Sequence, residues 1–162
     1  MRQSEKEARF LEVVNGNRQL LCKVCYMYAA DRDHFQDLYQ EVLANIWVGL
    51  DTFRGESAVS TWLYRTAINT CVTFFRRHNT HASSMTSLDF AADLEADDGS
   101  RAEQLREMYR LISGLDKLDK AIILMWLDGR SYEEIAEVTG FRRNNVATRL
   151  HRIKQRLAER NK

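Results

Sequence analysis

Not one of the 162 residues is proline. At a usual frequency of about 5% roughly eight would be expected, in loops, at strand edges and at helix starts. A chain without them, and with only seven glycines, predicts helices joined by short turns. Periodicity agrees: no useful stretch alternates apolar and polar residues, whereas apolar positions recur at helical spacing through most of the chain. With 44% hydrophobic and 29% charged residues, the composition is that of a globular chain with a core, neither disordered nor membranous. No run approaches the roughly 20 apolar residues that cross a bilayer. The first residues, MRQSEKEARF, are charged and lack an apolar signal core, and three cysteines make no disulfide framework. Both predict a cytoplasmic chain.

The net charge of +1 argues against a nucleic-acid partner until it is divided along the chain. Residues 1–78 sum to +1. Residues 79–100 hold five carboxylates (Asp89, Asp93, Glu95, Asp97 and Asp98) and no basic side chain. Residues 101–162 sum to +5, and from 141 onward eight basic residues face Glu159 alone. The acidic middle is small and polar with no sustained helical period, which reads as a linker. Two small helical domains, 1–78 and 101–162, on an acidic tether at 79–100 are the expected organisation.

The first unit predicts three helices. One covers about 5–29 (Phe10, Val13, Val14, Leu21, Val24, Tyr28). The next starts at an Asp33 N-cap with Gln36 in capping-box position and carries Phe35, Leu38, Val42, Leu43, Ile46, Trp47 and Leu50. The third begins after DTFRGES, capped by Ser57 or Ser60, and runs to about His78. The second unit predicts a helix over about 101–113, a break at Gly114, and an apolar helix ending at Gly129. A capping box, Ser131-Tyr-Glu-Glu134, then opens a short helix, Thr139-Gly140 makes a turn, and a last helix covers 142–160. Two helices joined by a short glycine turn are a helix-turn-helix pattern.

On a helical wheel Val146, Leu150, Ile153 and Leu157 of that last helix share one stripe, which must pack inward. The other side holds Asn144, Thr148, His151, Arg152 and Gln155, with Arg142 and Arg143 at the N-terminal end. Such side chains donate to phosphates and base edges, and a recognition helix lays its N-terminal half in the major groove. A merely solvated basic face would look similar; the capped helix and glycine turn before it favour DNA. In the third helix Leu63, Tyr64, Ala67, Ile68, Cys71, Phe74 and Phe75 form a broad core arc, while Trp62, Arg65, Asn69, Thr73 and Arg76 gather opposite. Aromatic and basic groups on one face suit single-stranded nucleic acid, although Trp62 could equally anchor a helix contact.

These segments resemble a known family. TFRGESAVSTWLYRTAINT followed by FFRR is similar to the promoter-melting segment of extracytoplasmic-function (ECF) sigma factors, small two-domain members of the sigma-70 family. Asp37-Leu38-Tyr39-Gln40-Glu41 with Trp47 downstream matches the family's first-unit motif, and LDGRSYEEIAEVTG with NNVATRLHRIKQRL matches its helix-turn-helix. The resemblance implies region two at 1–78 and a four-helix region four at 101–162. Asp37, Leu38, Gln40, Glu41 and Trp47 would dock on the clamp helices of the largest subunit of core RNA polymerase, with region four on the flap of the second-largest. The loop with Phe53, Arg54 and Ser57 and the face of Arg65, Asn69 and Arg76 would hold a base flipped from the minus-ten element, Trp62 and Tyr64 lying where the duplex opens. Thr148, His151 and Arg152, flanked by Asn144, would read the minus-thirty-five element, with Arg142, Arg143 and Arg149 on phosphates. An anti-sigma factor is an implied partner. Three features depart from relatives: Leu115-Asp-Lys-Leu118-Asp-Lys replaces a Leu-Pro followed by an arginine, Arg142 replaces a small hydroxyl or proline, and Ala147 stands where a basic residue is common. These bear on the promoter read.

Other patterns imply no chemistry. Cys22-Lys-Val-Cys25 has no second pair and no histidine at ligand spacing, so two core cysteines are expected rather than a zinc site, with a redox switch as the lesser alternative. No glycine-rich phosphate cradle or nucleophile elbow occurs. Neither a catalytic site nor a cofactor is expected. The competing readings are a helix-turn-helix regulator that binds duplex DNA without joining polymerase, and a degenerate sigma homologue that sequesters a partner.

Overall fold

Gly16 and Asn17 interrupt the first long apolar pattern. The computed structural model describes residues 2–78 and 99–160, with side chains at all of these but 75–78, 99–102 and 105. In place of one helix over 5–29 it has α1 (Gln3–Gly16) and α2 (Arg18–Tyr28). Asn17 leaves the helical region at φ −129°, ψ 24°. Its side-chain amide donates to the Val13 carbonyl at 2.8 Å, and its backbone carbonyl accepts from the Leu21 N–H. One residue thus ends α1 and opens α2, beside a glycine of poor helix propensity. The apolar spacing runs through the break, so periodicity alone does not reveal it.

Helix α3 (Arg32–Gly49) is capped by Asp31, not by Asp33. The Asp31 carboxylate accepts from the His34 N–H at 2.8 Å, while His34 Nδ1 accepts from the Ala30 N–H at 2.8 Å. These two bonds tie the α2–α3 turn and set the helix start two residues early. Asp33 falls in the first turn, where a negative charge still suits the helix dipole. Helix α4 (Val59–His78) starts between the two serines expected to cap it, its first bond running from the Trp62 N–H to the Ala58 carbonyl. Helices α2, α3 and α4 pack on one another around Leu21, Val24, Leu38, Ile46, Leu63 and Ala67, all fully buried, with α1 laid across α2 and α3. The first unit therefore has four helices rather than three.

The second unit has α5 (Gly99–Ser113), α6 (Lys117–Leu127), α7 (Tyr132–Thr139) and α8 (Arg143–Arg160). The expected tether at 79–100 lies outside the described residues except for 99 and 100, which open α5. Asp116 caps α6 by accepting from the Asp119 N–H at 2.8 Å, so its side chain starts the helix. The Ser131–Glu134 capping box is formed, and Gly140 turns the chain at φ +82°. Val146, Leu150 and Ile153 are buried beneath α8.

Among the described residues every element is a helix and none is a strand. The units are also packed together: α4 rests on α7, α2 touches α5 and α6, and the buried side chains form one contiguous cluster.

Candidate nucleic-acid interface

With Val146, Leu150 and Ile153 held inward, α8 turns Asn144, Thr148, His151 and Arg152 outward, and Arg142 and Arg143 stand exposed at its start. Arg143 is bound to the Glu133 carboxylate, and its guanidinium lies 5.4 Å from the Tyr132 ring. Backbone bonding and Arg143 hold the exposed Glu133 carboxyl below the usual carboxylate range. Thr148 Oγ1 donates back to the Asn144 carbonyl at 3.0 Å. Arg149 is set apart: half-buried, it lies over the Phe141 ring at 4.2 Å and donates to Asp119 Oδ1 at 3.3 Å. Burial, then Asp116 nearby, raise the Asp119 carboxyl, and Arg149 opposes them. Arg152 and Arg156 share the adjoining groove with Arg149. Arg156 and Lys154, which lies 3.9 Å over the Trp126 ring, extend the cationic side of α8 beyond the residues singled out by motif. The eight basic residues after 141 were the signal for them.

The third-helix face divides in the structure. Phe53 and Trp62 stack with ring centroids 4.7 Å apart and planes 26° from parallel. Trp62 also covers Gly49, where a Cβ would meet the indole at 2.8 Å. Indole and phenyl thus pin the loop carrying exposed Arg54 and half-buried Ser57, with Gly55 at φ +75°. Asn69 is exposed and lines a groove with Glu41, Asn45 and Thr73 between α3 and α4. Arg76 continues α4, its side chain outside the described residues. Tyr64 and Arg65 instead turn toward the second unit. The buried Tyr64 hydroxyl donates to Asp128, and Arg65 pairs with Glu137 at 3.1 Å. Burial and then the Asp128 bond push the Tyr64 phenol far up, so it stays a donor at any ordinary pH.

On α3, Asp37 and Gln40 are exposed and Glu41 half-buried, but Leu38 is 0% exposed and belongs to the core. It sets the pitch of the face without reaching a partner. Trp47 packs edge-on against Phe10 at 5.4 Å, with the Lys6 ammonium 4.2 Å over its ring. Beside it Leu11 (57% exposed) and Val48 (65% exposed) leave an apolar groove of about 470 Å³, lined also by Ala44 and Leu43. The motif missed Ala44 and Val48. The wheel held the signal, since both fall on the face of Asp37, Gln40 and Glu41.

Residues 13–81 match the family model Sigma-70 region 2, and residues 105–157 match Sigma-70, region 4. The chain is similar to the ECF RNA polymerase sigma-E factor of Escherichia coli, 33% identical over 132 residues that span 74% of this chain and 69% of that protein. To the ECF RNA polymerase sigma-E factor of Haemophilus influenzae it is 31% identical over 137 residues, 76% of this chain and 72% of that protein. The chain belongs to the ECF sigma factors. Among solved structures the fold is similar to that of the sigma factor RpoE in complex with the anti-sigma factor NepR from Bartonella quintana, with TM-score 0.68, 21% identity and 94% of each chain covered. It is also similar to CnrH in complex with the cytosolic domain of CnrY, with TM-score 0.67, 19% identity, and 94% of this chain and 87% of that one covered.

The region 2 match of this sigma factor thus takes in α2, α3 and α4, and the region 4 match falls on α5 to α8. Two of its three cysteines are packing residues: Cys25 and Cys71 are fully buried. A hydrogen bond to Cys71, then burial, hold the Cys25 thiol well above the usual range, and burial also raises half-buried Cys22. Raised thiols carry little nucleophilic thiolate. Among the described residues no cluster of three potential ligands could hold a metal, and no helix is long and apolar enough to cross a membrane.

Proposed function

We propose that this sigma factor is a cytoplasmic, non-enzymatic subunit that brings core RNA polymerase to promoters, with region 4 reading the minus-thirty-five element as duplex and region 2 capturing unstacked minus-ten bases. The observation that carries the reading is the outward row on α8, from Arg142 and Asn144 through Thr148 to His151 and Arg152, locked in orientation by the buried stripe beneath it. Arg152 and His151 are the base readers, and Arg142 and Arg143 hold phosphates. Arg149, tied to Asp119, orients the helix rather than leading the contact. In region 2 the Phe53–Trp62 stack shapes the loop that receives an extruded base, with Arg54, Ser57 and Asn69 at its rim. On α3 the clamp helices meet Asp37, Gln40 and Glu41 and bury the neighbouring Ala44 and Val48. An anti-sigma factor is the partner that fits by kinship, as in the complex of RpoE with the anti-sigma factor NepR.

Gel retardation of promoter fragments separates this reading from a stand-alone regulator. Core polymerase with this chain retards a promoter fragment that neither retards alone, and Arg152→Ala weakens that complex by about 1–3 kcal/mol. Tight, specific duplex binding by the isolated chain, unaffected by core polymerase, overturns the proposal in favour of the regulator.

A further inference from the structure

The match to Sigma-70 region 2 begins at residue 13, so most of α1 lies ahead of it. That helix nevertheless reaches the loop that receives the extruded base in the reading above. The Arg9 guanidinium lies 5.9 Å from the centre of the Phe53 ring, and Phe53 stacks on Trp62 at 4.7 Å. Guanidinium, phenyl and indole are thus successive neighbours, leading from α1 through the loop to α4. Arg54 follows Phe53 in the chain, and both arginines are exposed. Among the described residues neither has a carboxylate partner, whereas Lys6, Arg65, Arg130 and Arg143 each have one. We propose that α1 completes the strand-capture site of region 2, with Arg9 and Arg54 holding backbone phosphates of the melted strand beside the extruded base; this deepens the sigma reading above and rests on it.

The place of Arg9 is fixed by its neighbours along α1. Three residues earlier the buried Lys6 donates to Asp51 Oδ2 at 2.8 Å and lies 4.2 Å over the Trp47 ring. One residue later Phe10 meets the same indole edge-on at 5.4 Å. Asp51 opens the loop just past α3, and the Phe53 N–H donates to the Gly49 carbonyl at 2.9 Å. Helix α1 and the Phe53 ring are therefore tied to the same end of α3. A guanidinium that lies over a ring keeps the N–H groups of its edge for another acceptor. The cation–π contact contributes only about 0.5–1 kcal/mol at an exposed site, so it steers Arg9 without withholding it from a phosphate. Stacked aromatic rings beside unpaired guanidiniums suit a single strand, whose bases offer π-faces and whose backbone offers anions. Exposed Glu5 and Glu12 share α1, and exposed Glu56 shares the loop. The site is thus two cations at one ring rather than a broad basic patch, which fits contacts to individual phosphates.

The test uses holoenzyme assembled from core polymerase and the full chain. The probe is a fork cut from a fragment that the holoenzyme retards, duplex over the minus-thirty-five element and single-stranded over the minus-ten. Arg9→Ala weakens fork binding by about tenfold and lowers the slope of log affinity against log salt by about 0.7, the share of one single-strand phosphate. Arg9→Lys keeps the charge and restores most of that slope, while Arg9→Glu binds more weakly than the alanine variant. Arg2→Ala removes an exposed charge from the start of the same helix, where the side chain makes no capping bond, and changes fork binding by no more than about twofold. Binding of the duplex minus-thirty-five half alone, and co-purification with core polymerase, stay as in the parent for every variant, which separates a strand contact from damage to α1. Fork binding by Arg9→Ala within about twofold of the parent, weaker binding at an unchanged slope, or an equal loss on the duplex half overturns the proposal and leaves the sigma reading standing. If core polymerase with the parent chain retards no fragment, the sigma reading falls and the proposal with it.

Discussion

Gly49 shows how much one side chain, or its lack, decides at this interface. Trp62 lies over it, and a Cβ there would press on the indole at 2.8 Å. Gly49→Ala therefore displaces Trp62 from Phe53, while the gain in helix propensity offsets part of the lost stacking. Near-ultraviolet circular dichroism changes markedly, yet unfolding stability moves by less than about 1 kcal/mol; an unchanged aromatic spectrum contradicts the packing described. Lys120 makes a second residue-scale prediction. Burial lowers its ammonium below the usual 10.5, against the pull of Asp116, and its ring neighbour is Tyr28. A lysine whose folded value is lowered costs stability below that value, and the cost fades as pH rises toward 10.5. Lys120→Met is accordingly more stable than the parent at pH 7, by on the order of 1 kcal/mol, and the difference shrinks toward pH 10. Urea denaturation at the two pH values reads this directly. A constant difference, or a less stable variant, contradicts it.

At the scale of elements the helix-turn-helix is the most self-consistent part of the chain. Ser131 and Glu134 cap α7 reciprocally, and Gly140 ends it at a φ of +82° that side chains with a Cβ avoid. Ser131→Ala costs about 1 kcal/mol and Gly140→Ala about 1–2 kcal/mol, both measurable by denaturant unfolding. Only the glycine change also re-aims α8 and weakens duplex binding by the holoenzyme; equal loss of binding in both would mean that the turn does not aim the helix. These elements were legible in the sequence because their signals are local: a capping box, a glycine and a stripe at helical spacing. The miss at Asn17 has the opposite cause, since the apolar period continues through the break and only the Asn17 bonds to Val13 and Leu21 end one helix and start another. The start of α3 was misplaced because two aspartates compete and the Ala30–His34 bond, a tertiary detail of the turn, decides for Asp31. At the site, the wheel already put Tyr64 on the core arc, where the structure buries it. A sequence motif lists Leu38 beside Gln40 without saying that one points inward.

The contact between the two regions lies beyond any sequence pattern. Its bonds join residues more than sixty positions apart, such as Arg65 to Glu137 and Thr61 to Glu134, and each residue alone reads as a solvated polar side chain. The charge arithmetic acquires a physical meaning at this scale. The net charge of +1 separates into +1 over residues 1–78, −5 over 79–100 and +5 over 101–162. Free protein so balanced gains little from phosphate neutralisation, so its duplex binding is weak, and docking on polymerase supplies the remaining affinity and the distance between elements. The central claim is that this chain confers promoter-specific initiation on core polymerase. Run-off transcription by purified core polymerase on fragments of the source genome, with and without the chain, tests it most directly. Discrete transcripts of fixed length that appear only when the chain is added are the predicted result. Identical transcript patterns with and without it, together with failure to co-purify with core polymerase, would contradict the account.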